Sequence, residues 1–340
     1  MDAAIEPGSG PSADVPLDPS LDRYAVTGNP VGHSRSPDIH AAFAVATGQR
    51  LRYDRLEAPL DGFDATVRAF AATGGRGLNV TVPFKLEAFA LADTLTARAA
   101  AAGAVNTLRF QTVEDRILIE GDNTDGAGLV HDLEHNLQCR LAGARILLLG
   151  AGGAARGAML PLLECRPACL VIVNRTAARA HELQAHFAAA AARLDCVLAV
   201  AGEADPRDAA GPQEAGSTVH AAGAPAARYD VVVNATAGSL AGDVPALPAG
   251  AIGPGTLAYD MMYGAEATVF MRHAAALGAT VHDGLGMLVE QAAESFALWR
   301  GVRPDGRAVL ARLRATLHAG APTTAPGAAS GAAAPARDAS

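Results

Sequence analysis

Short runs of branched and aliphatic residues alternate along the chain with stretches whose apolar positions recur at helical spacing. Tyr24-Ala25-Val26-Thr27 predicts a strand, and residues 37–47 a helix with Ser36 as its cap and Pro37 at its first position. Residues 51–56 predict another strand and residues 64–72 a helix. Residues 77–82 predict a strand stopped by Pro83, and residues 85–93 continue helically. A helix is expected over 125–138, and at Arg145 the rhythm starts again, with strands at 145–149, 170–173, 229–233 and 257–259. The last strong helical stretch, 287–300, follows a turn at Asp283-Gly284-Leu285-Gly286 that has the look of a domain crossing. Alternating strand and helix implies an α/β protein with two mostly parallel sheets.

A chain of 340 residues is too long for one compact core and suits two domains with a cleft between them. Residues 1–21 and 319–340 are dominated by small and turn-forming residues without a hydrophobic period and are expected to be disordered tails; residues 201–227 have a similar composition and read as a long surface excursion. A hydrophobic fraction of 50% with 18% charged residues fits a soluble globular protein. The net charge of -8 argues against nucleic acid or an anionic membrane as partner. Cys139, Cys165, Cys169 and Cys196 lack metal or redox spacing, no run approaches a membrane span, and no apolar signal core opens the chain, so the cytoplasm is the expected location.

The chemistry starts at Gly150-Ala151-Gly152-Gly153-Ala154-Ala155, set between the apolar run Ile146-Leu147-Leu148-Leu149 and a helix. Glycines there let pyrophosphate approach backbone amides at a helix N-terminus, as in dinucleotide-binding folds. The next strand ends in Asn174-Arg175-Thr176, with Arg179 one turn on, where an NAD enzyme would place an acid on the ribose. Two arginines and a threonine suit a ribose 2'-phosphate instead, so NADP is the expected cofactor. Asn234 and Thr236 close a later strand at the same sheet edge and are expected to line the cofactor or simply to make a turn. Lys85, after a strand and a proline stop, opens a helix, an unfavourable place for a cation without an anion near it. It reads equally as an acid–base group, a carboxylate binder or a surface lysine.

Gly28-Asn29-Pro30-Val31-Gly32-His33-Ser34-Arg35-Ser36-Pro37, Asn79 to Lys85, Gly103-Ala104-Val105-Asn106-Thr107, Gly121-Asp122-Asn123-Thr124-Asp125-Gly126, Asn174-Arg175-Thr176 and Gly284-Leu285-Gly286-Met287-Leu288-Val289 with Gln291-Ala292 together resemble the shikimate dehydrogenase family over about residues 21–317. The resemblance implies NADPH-dependent reduction of 3-dehydroshikimate to shikimate, on the way to chorismate and the aromatic amino acids. It implies a substrate domain of residues 22–121 with 285–318 and a Rossmann-type NADP domain of residues 122–284. By the same resemblance Ser34 and Ser36 bind the substrate carboxylate, and Asn79, Thr81, Asn106, Asp125 and Gln291 surround the ring hydroxyls. Tyr263 also contacts substrate, Met261 and Gly284 lie on the nicotinamide side, and Lys85 with Asp125 is the catalytic pair. The expected partners are the small-molecule substrate and cofactor, with the chain a monomer or homodimer. Alternatives are the quinate/shikimate branch of the family, disfavoured by the absence of an acid near Arg175, and a catalytically silent NADP-binding regulator.

Overall fold

The computed structural model describes residues 18, 20–201, 228–236, 238 and 244–319. The expected tails and the 201–227 excursion therefore lie outside the described residues, except for residues 18, 20, 21, 201 and 319. Two six-stranded sheets organise the rest.

The first sheet begins with β1 (Asp22–Gly28), α1 (Ser36–Thr47), β2 (Leu51–Glu57), α2 (Phe63–Ala72), β3 (Gly75–Val80) and α3 (Lys85–Leu91). It is completed by β4 (Thr94–Leu95), α4 (Ala97–Ala102), β5 (Thr107–Val113) and β6 (Arg116–Asp122). Its order is β2-β1-β3-β5-β6-β4, and β5, antiparallel to both neighbours, is the one reversed strand. Phe63, Val67, Phe70 and Ala71 place one apolar stripe of α2 against Leu78 and Val80 of the sheet. Burying each large side chain of that stripe contributes roughly 1.5–3 kcal/mol.

The second sheet is entirely parallel. It comprises β7 (Arg145–Leu149), α6 (Gly153–Glu164), β8 (Cys169–Val173), α7 (Ala177–Arg193), β9 (Val197–Val200), β10 (Val231–Asn234), β11 (Leu257–Asp260), α8 (Val269–Ala276) and β12 (Thr280–Asp283), in the order β12-β11-β10-β7-β8-β9. This is the doubly wound dinucleotide topology, with the strand order reversing between β7 and β10. Alternation serves both faces of β7. Ile146 and Leu148 join the core under α6 and α7, while Leu147 and Leu149 join Phe270 and Ala274 on the other side.

Between the sheets run α5 (Asp125–His131) and a π-helical turn (Asp132–Asn136). The chain returns through α9 (Leu285–Arg300), which packs against α5 and α1, and the last described element is α10 (Arg307–Ala319). Two glycines of α5 permit this arrangement. A Cβ on Gly126 would stand 2.3 Å from the Gly157 carbonyl oxygen of α6, and one on Gly128 would stand 2.5 Å from the Gln291 amide nitrogen of α9.

Several sequence expectations are corrected. Ser36 is the first helical residue of α1 and Arg35 occupies the cap position, because the Val31–Arg35 loop already coils through a Ser34 N–H to Val31 carbonyl bond of 3.1 Å. The helix expected to reach residue 93 stops at Leu91, since Asp93 exchanges hydrogen bonds with the Ile119 backbone through both its N–H and its carboxylate. The helix expected over 125–138 gives way at Asp132 to a wider turn, in which the Leu137 N–H reaches back to the Asp132 carbonyl. The β5–β6 hairpin was not anticipated; it turns through Glu114 and Asp115, both at positive φ.

Since the α5 contacts are to backbone, neither neighbour can yield cheaply. Gly126→Ala and Gly128→Ala are each expected to destabilise the protein by about 2 kcal/mol or more. Denaturant melts should show a lower midpoint with an unchanged slope.

Candidate active site

The carboxyl ends of β1 and β3 and the starts of α3, α5 and α9 converge on one cleft of about 340 Å³. Ser34, Ser36, Asn79, Thr81, Lys85, Asn106, Asp125, Tyr263 and Gln291 all line it, as do Met261 and Gly284. Residues spread over more than 250 positions of sequence thus meet at the junction of the two sheets.

At its floor the Lys85 ammonium donates to Asp125 Oδ2 at 2.6 Å. Both are the first residues of helices, α3 and α5. The α5 N-terminus favours the carboxylate, and the carboxylate offsets the unfavourable placement of Lys85 on α3. Side-chain exposures of 33% and 15% put the pair partly out of solvent, where attraction is screened less than at the surface. The lysine is fixed from behind by a 2.9 Å bond from the Val105 N–H to its carbonyl.

Asn106 organises the other side of the carboxylate. Its amide group donates to Asp125 Oδ1 at 2.8 Å and lies within 3.3 Å of Gln291 Oε1, while its carbonyl accepts from the Thr124 N–H at 2.8 Å. Asn79 is committed to the interior: its carbonyl accepts from the Tyr53 hydroxyl at 2.7 Å, and its amide donates to Thr107 and Ser295. Under Tyr53 the ring of His40 stacks at 4.2 Å; its burial pushes it down to about 3, so it is a neutral platform. Tyr53, Thr107, Thr124 and Ser295 were not singled out in the sequence. Thr107 and Thr124 lie inside motifs of the resemblance but carried no role of their own there, and Ser295 lies one helical turn after Gln291, so helical spacing alone could have suggested it. Tyr53 carries no such signal, because strand register brings it beneath the site.

Just before α5, Asp122 is held in a charged cluster. Arg98 donates to both of its oxygens at 2.8 and 2.6 Å, Thr96 donates at 2.5 Å and the Asn123 N–H at 2.8 Å. Burial pushes the Asp122 carboxyl up, but the Arg98 bonds and charge, with Thr96 and Asn123, outweigh it and hold the group below its ordinary value.

On the second sheet, Gly150 has φ of +110°, a conformation that admits glycine and few others, and its N–H bonds the Val173 carbonyl at 2.7 Å. Among the described residues nothing lies within 4 Å of where a Cβ would stand on Gly152 or Gly153, which leaves the amide edge at the start of α6 open toward them. A pyrophosphate fits that opening and the positive end of the helix. Ala151 and Ala154 flank it half-buried, and Ala155 is buried in the α6 core. Arg175, Thr176 and Arg179 stand exposed at the carboxyl end of β8, with Asn174 donating to the Thr176 carbonyl at 2.9 Å. Two guanidinium groups and a hydroxyl are donors of the kind that suits a phosphate. Of the two readings of Asn234, the contacts seen are those of the turn: it is fully buried, donating to Asp260 and accepting from the Thr236 N–H and hydroxyl, so it shapes the loop beside Gly150.

Three family models match: the shikimate dehydrogenase substrate binding domain over residues 26–108, shikimate / quinate 5-dehydrogenase over 132–205, and the shikimate 5'-dehydrogenase C-terminal domain over 284–314. The shikimate dehydrogenase (NADP(+)) of Cupriavidus taiwanensis is 58% identical over 89% of this chain and 97% of its own length. The chain belongs to the shikimate dehydrogenase family. Among solved structures, an Ael1 enzyme from Pseudomonas putida is 46% identical with a TM-score of 0.73, covering 86% of this chain and 98% of that one. The shikimate 5-dehydrogenase of Thermus thermophilus, in complex with NADP(H) and shikimate, is 31% identical with a TM-score of 0.69, covering 87% of this chain and all of that one. Family membership makes this chain an NADP-dependent oxidoreductase, and the two-domain α/β fold is the one these structures share.

A carboxyl held low in the folded state contributes stability that is complete above its unfolded value near 3.8 and is lost as pH falls through the folded value. Asp122→Asn removes that dependence. Chemical denaturation from pH 6 downward should show the wild type losing stability more steeply than the variant below about pH 4.

Proposed function

We propose that Lys85 and Asp125 carry the proton transfer in the reversible NADPH-dependent reduction of 3-dehydroshikimate to shikimate, the reaction of the shikimate pathway that family membership gives this chain. The observation behind the assignment is the 2.6 Å ion pair on the floor of a cleft lined with hydroxyl and amide groups. The Gly150 turn would hold the cofactor by its pyrophosphate, and the nicotinamide, beside Met261 and Gly284, would supply the hydride. The ammonium of Lys85 donates to the ketone oxygen, stabilises the negative charge that develops there, and gives up its proton; in the oxidative direction it accepts one. Asp125, held by Asn106, aims the ammonium and balances its charge. Ser34 and Ser36 take the ring carboxylate, while Thr81, Asn106, Gln291 and Tyr263 address the hydroxyls. A site built to pair each substrate hydroxyl rejects analogues that lack one, because its own groups are then left unpaired. Asn79, committed to Tyr53, Thr107 and Ser295, holds this wall in shape.

Residues 22–121 with 285–318 form the substrate domain in this reading and residues 122–284 the NADP domain, Met261 and Gly284 facing the nicotinamide. Arg175, Thr176 and Arg179 receive the 2'-phosphate. The net charge of -8 supports small-molecule partners over nucleic acid or membrane, with the protein acting in the cytoplasm as a monomer or homodimer.

Lys85→Ala should lower kcat by about 10²-fold or more with a smaller change in KM, the range of a lost acid–base group. A large rise in KM with kcat intact would make Lys85 a binding residue instead. Arg175→Ala should raise KM for NADP by roughly tenfold, as expected for a lost charge-assisted phosphate contact, and leave turnover with NAD unchanged; retained preference for NADP would remove Arg175 from the phosphate site.

A further inference from the structure

Among the described residues, the formally charged ones lining the cleft are Arg35, Lys85 and Asp125. Lys85 and Asp125 cancel in their 2.6 Å pair, so the remaining positive charge belongs to Arg35. Ser34 and Ser36, on either side of it, are uncharged, and their hydroxyls bond one another at 3.2 Å. Two anionic reactants must approach a protein of net charge -8. A cation at the cleft raises the local concentration of an anion and offsets that repulsion.

Arg35 is placed to do so. Its ion pair with Asp38 is loose, 3.8 Å with side-chain exposures of 42% and 52%, the kind of surface pair that holds a side chain weakly. Arg55, by contrast, is spent on the Ser34 carbonyl, to which it donates at 3.1 and 2.6 Å. Tyr263, from the loop after β11, lines both the cleft and a small adjoining void together with Arg35. The phenol of Tyr263 is raised mainly by burial, and the Arg35 charge acts on it in the opposite sense, so the two side chains share one corner. Arg35 makes no side-chain cap to α1, so replacing it removes charge without removing a cap.

We propose that Arg35 is a specificity residue: its guanidinium selects a ring carrying a carboxylate over the same ring without the charge, while Ser34 and Ser36 orient that carboxylate. Arg35 can meet a carboxylate with two parallel N–H donors, which the serines cannot. The inference rests on the proposed reading of Ser34 and Ser36 as the carboxylate site.

The test is steady-state kinetics with shikimate and with its methyl ester on the wild type, Arg35→Gln, Arg35→Lys and Asp38→Asn, the ester's inhibition constant serving where its turnover is slow. Arg35→Gln should lower kcat/KM for shikimate about tenfold, chiefly through KM, and leave the ester within about twofold, as expected for one lost charge-assisted contact. Arg35→Lys, which keeps the charge and loses the paired donors, should fall between Arg35→Gln and wild type on shikimate, and Asp38→Asn, which frees the guanidinium, should lower KM for shikimate alone. An acid-to-ester ratio in Arg35→Gln equal to that of wild type would overturn the role of Arg35. If that variant fails to fold, an unchanged ratio in Asp38→Asn would overturn it. Wild-type protein with no turnover of shikimate would instead overturn the reading of the site, and this inference with it.

Discussion

The contact of α5 with two other helices at backbone distance is the constraint on which the site depends. Gly126 lies against the carbonyl of Gly157 and Gly128 against the amide of Gln291, so α6 of the second sheet and α9 beneath the first are locked to one short helix. Interiors are close-packed and transmit displacement, so a shift of either helix moves α5. Asp125 is the first residue of α5, and the distance between its carboxylate and Lys85 is therefore set by main-chain packing more than by the reach of two side chains.

Burying so many polar groups at this junction is tolerable because nearly every one is answered. Asn106 donates to Asp125 and accepts from the Thr124 N–H, the Thr124 hydroxyl donates to Gln291, Asp122 takes four donors, and Asp132 accepts from Tyr259 at 2.6 Å and Asn136 at 2.8 Å. A buried charge left without such partners would cost several kcal/mol. His40 is the contrast. Burial keeps it uncharged, and it serves by stacking under Tyr53, whose hydroxyl steadies Asn79.

The second sheet was the more legible in advance. Its central strands are buried on both faces and so are written as unbroken aliphatic runs, Ile146-Leu147-Leu148-Leu149 and Val231-Val232-Val233, which few other structures use. The β5–β6 hairpin was hidden because its half-exposed strands carry Arg109, Gln111, Arg116 and Glu120, which read as surface coil. The wide turn after α5 was hidden for a longer-range reason. The Asp132 carboxylate is bound by Tyr259, 127 positions away, and no local pattern reports such a partner.

By itself the sequence determined what lies within a few residues of a motif: the glycine turn, the arginines after β8 and the serines around Arg35, because turn geometry and ligand type are local properties. It determined the family too, through several motifs in order. Only the tertiary structure decided that Lys85 and Asp125 touch, that Asn234 faces inward to Asp260, and that Arg35 carries the unbalanced charge of the cleft. Those facts depend on how two sheets are set against one helix, and packing of that kind is a property of the whole chain.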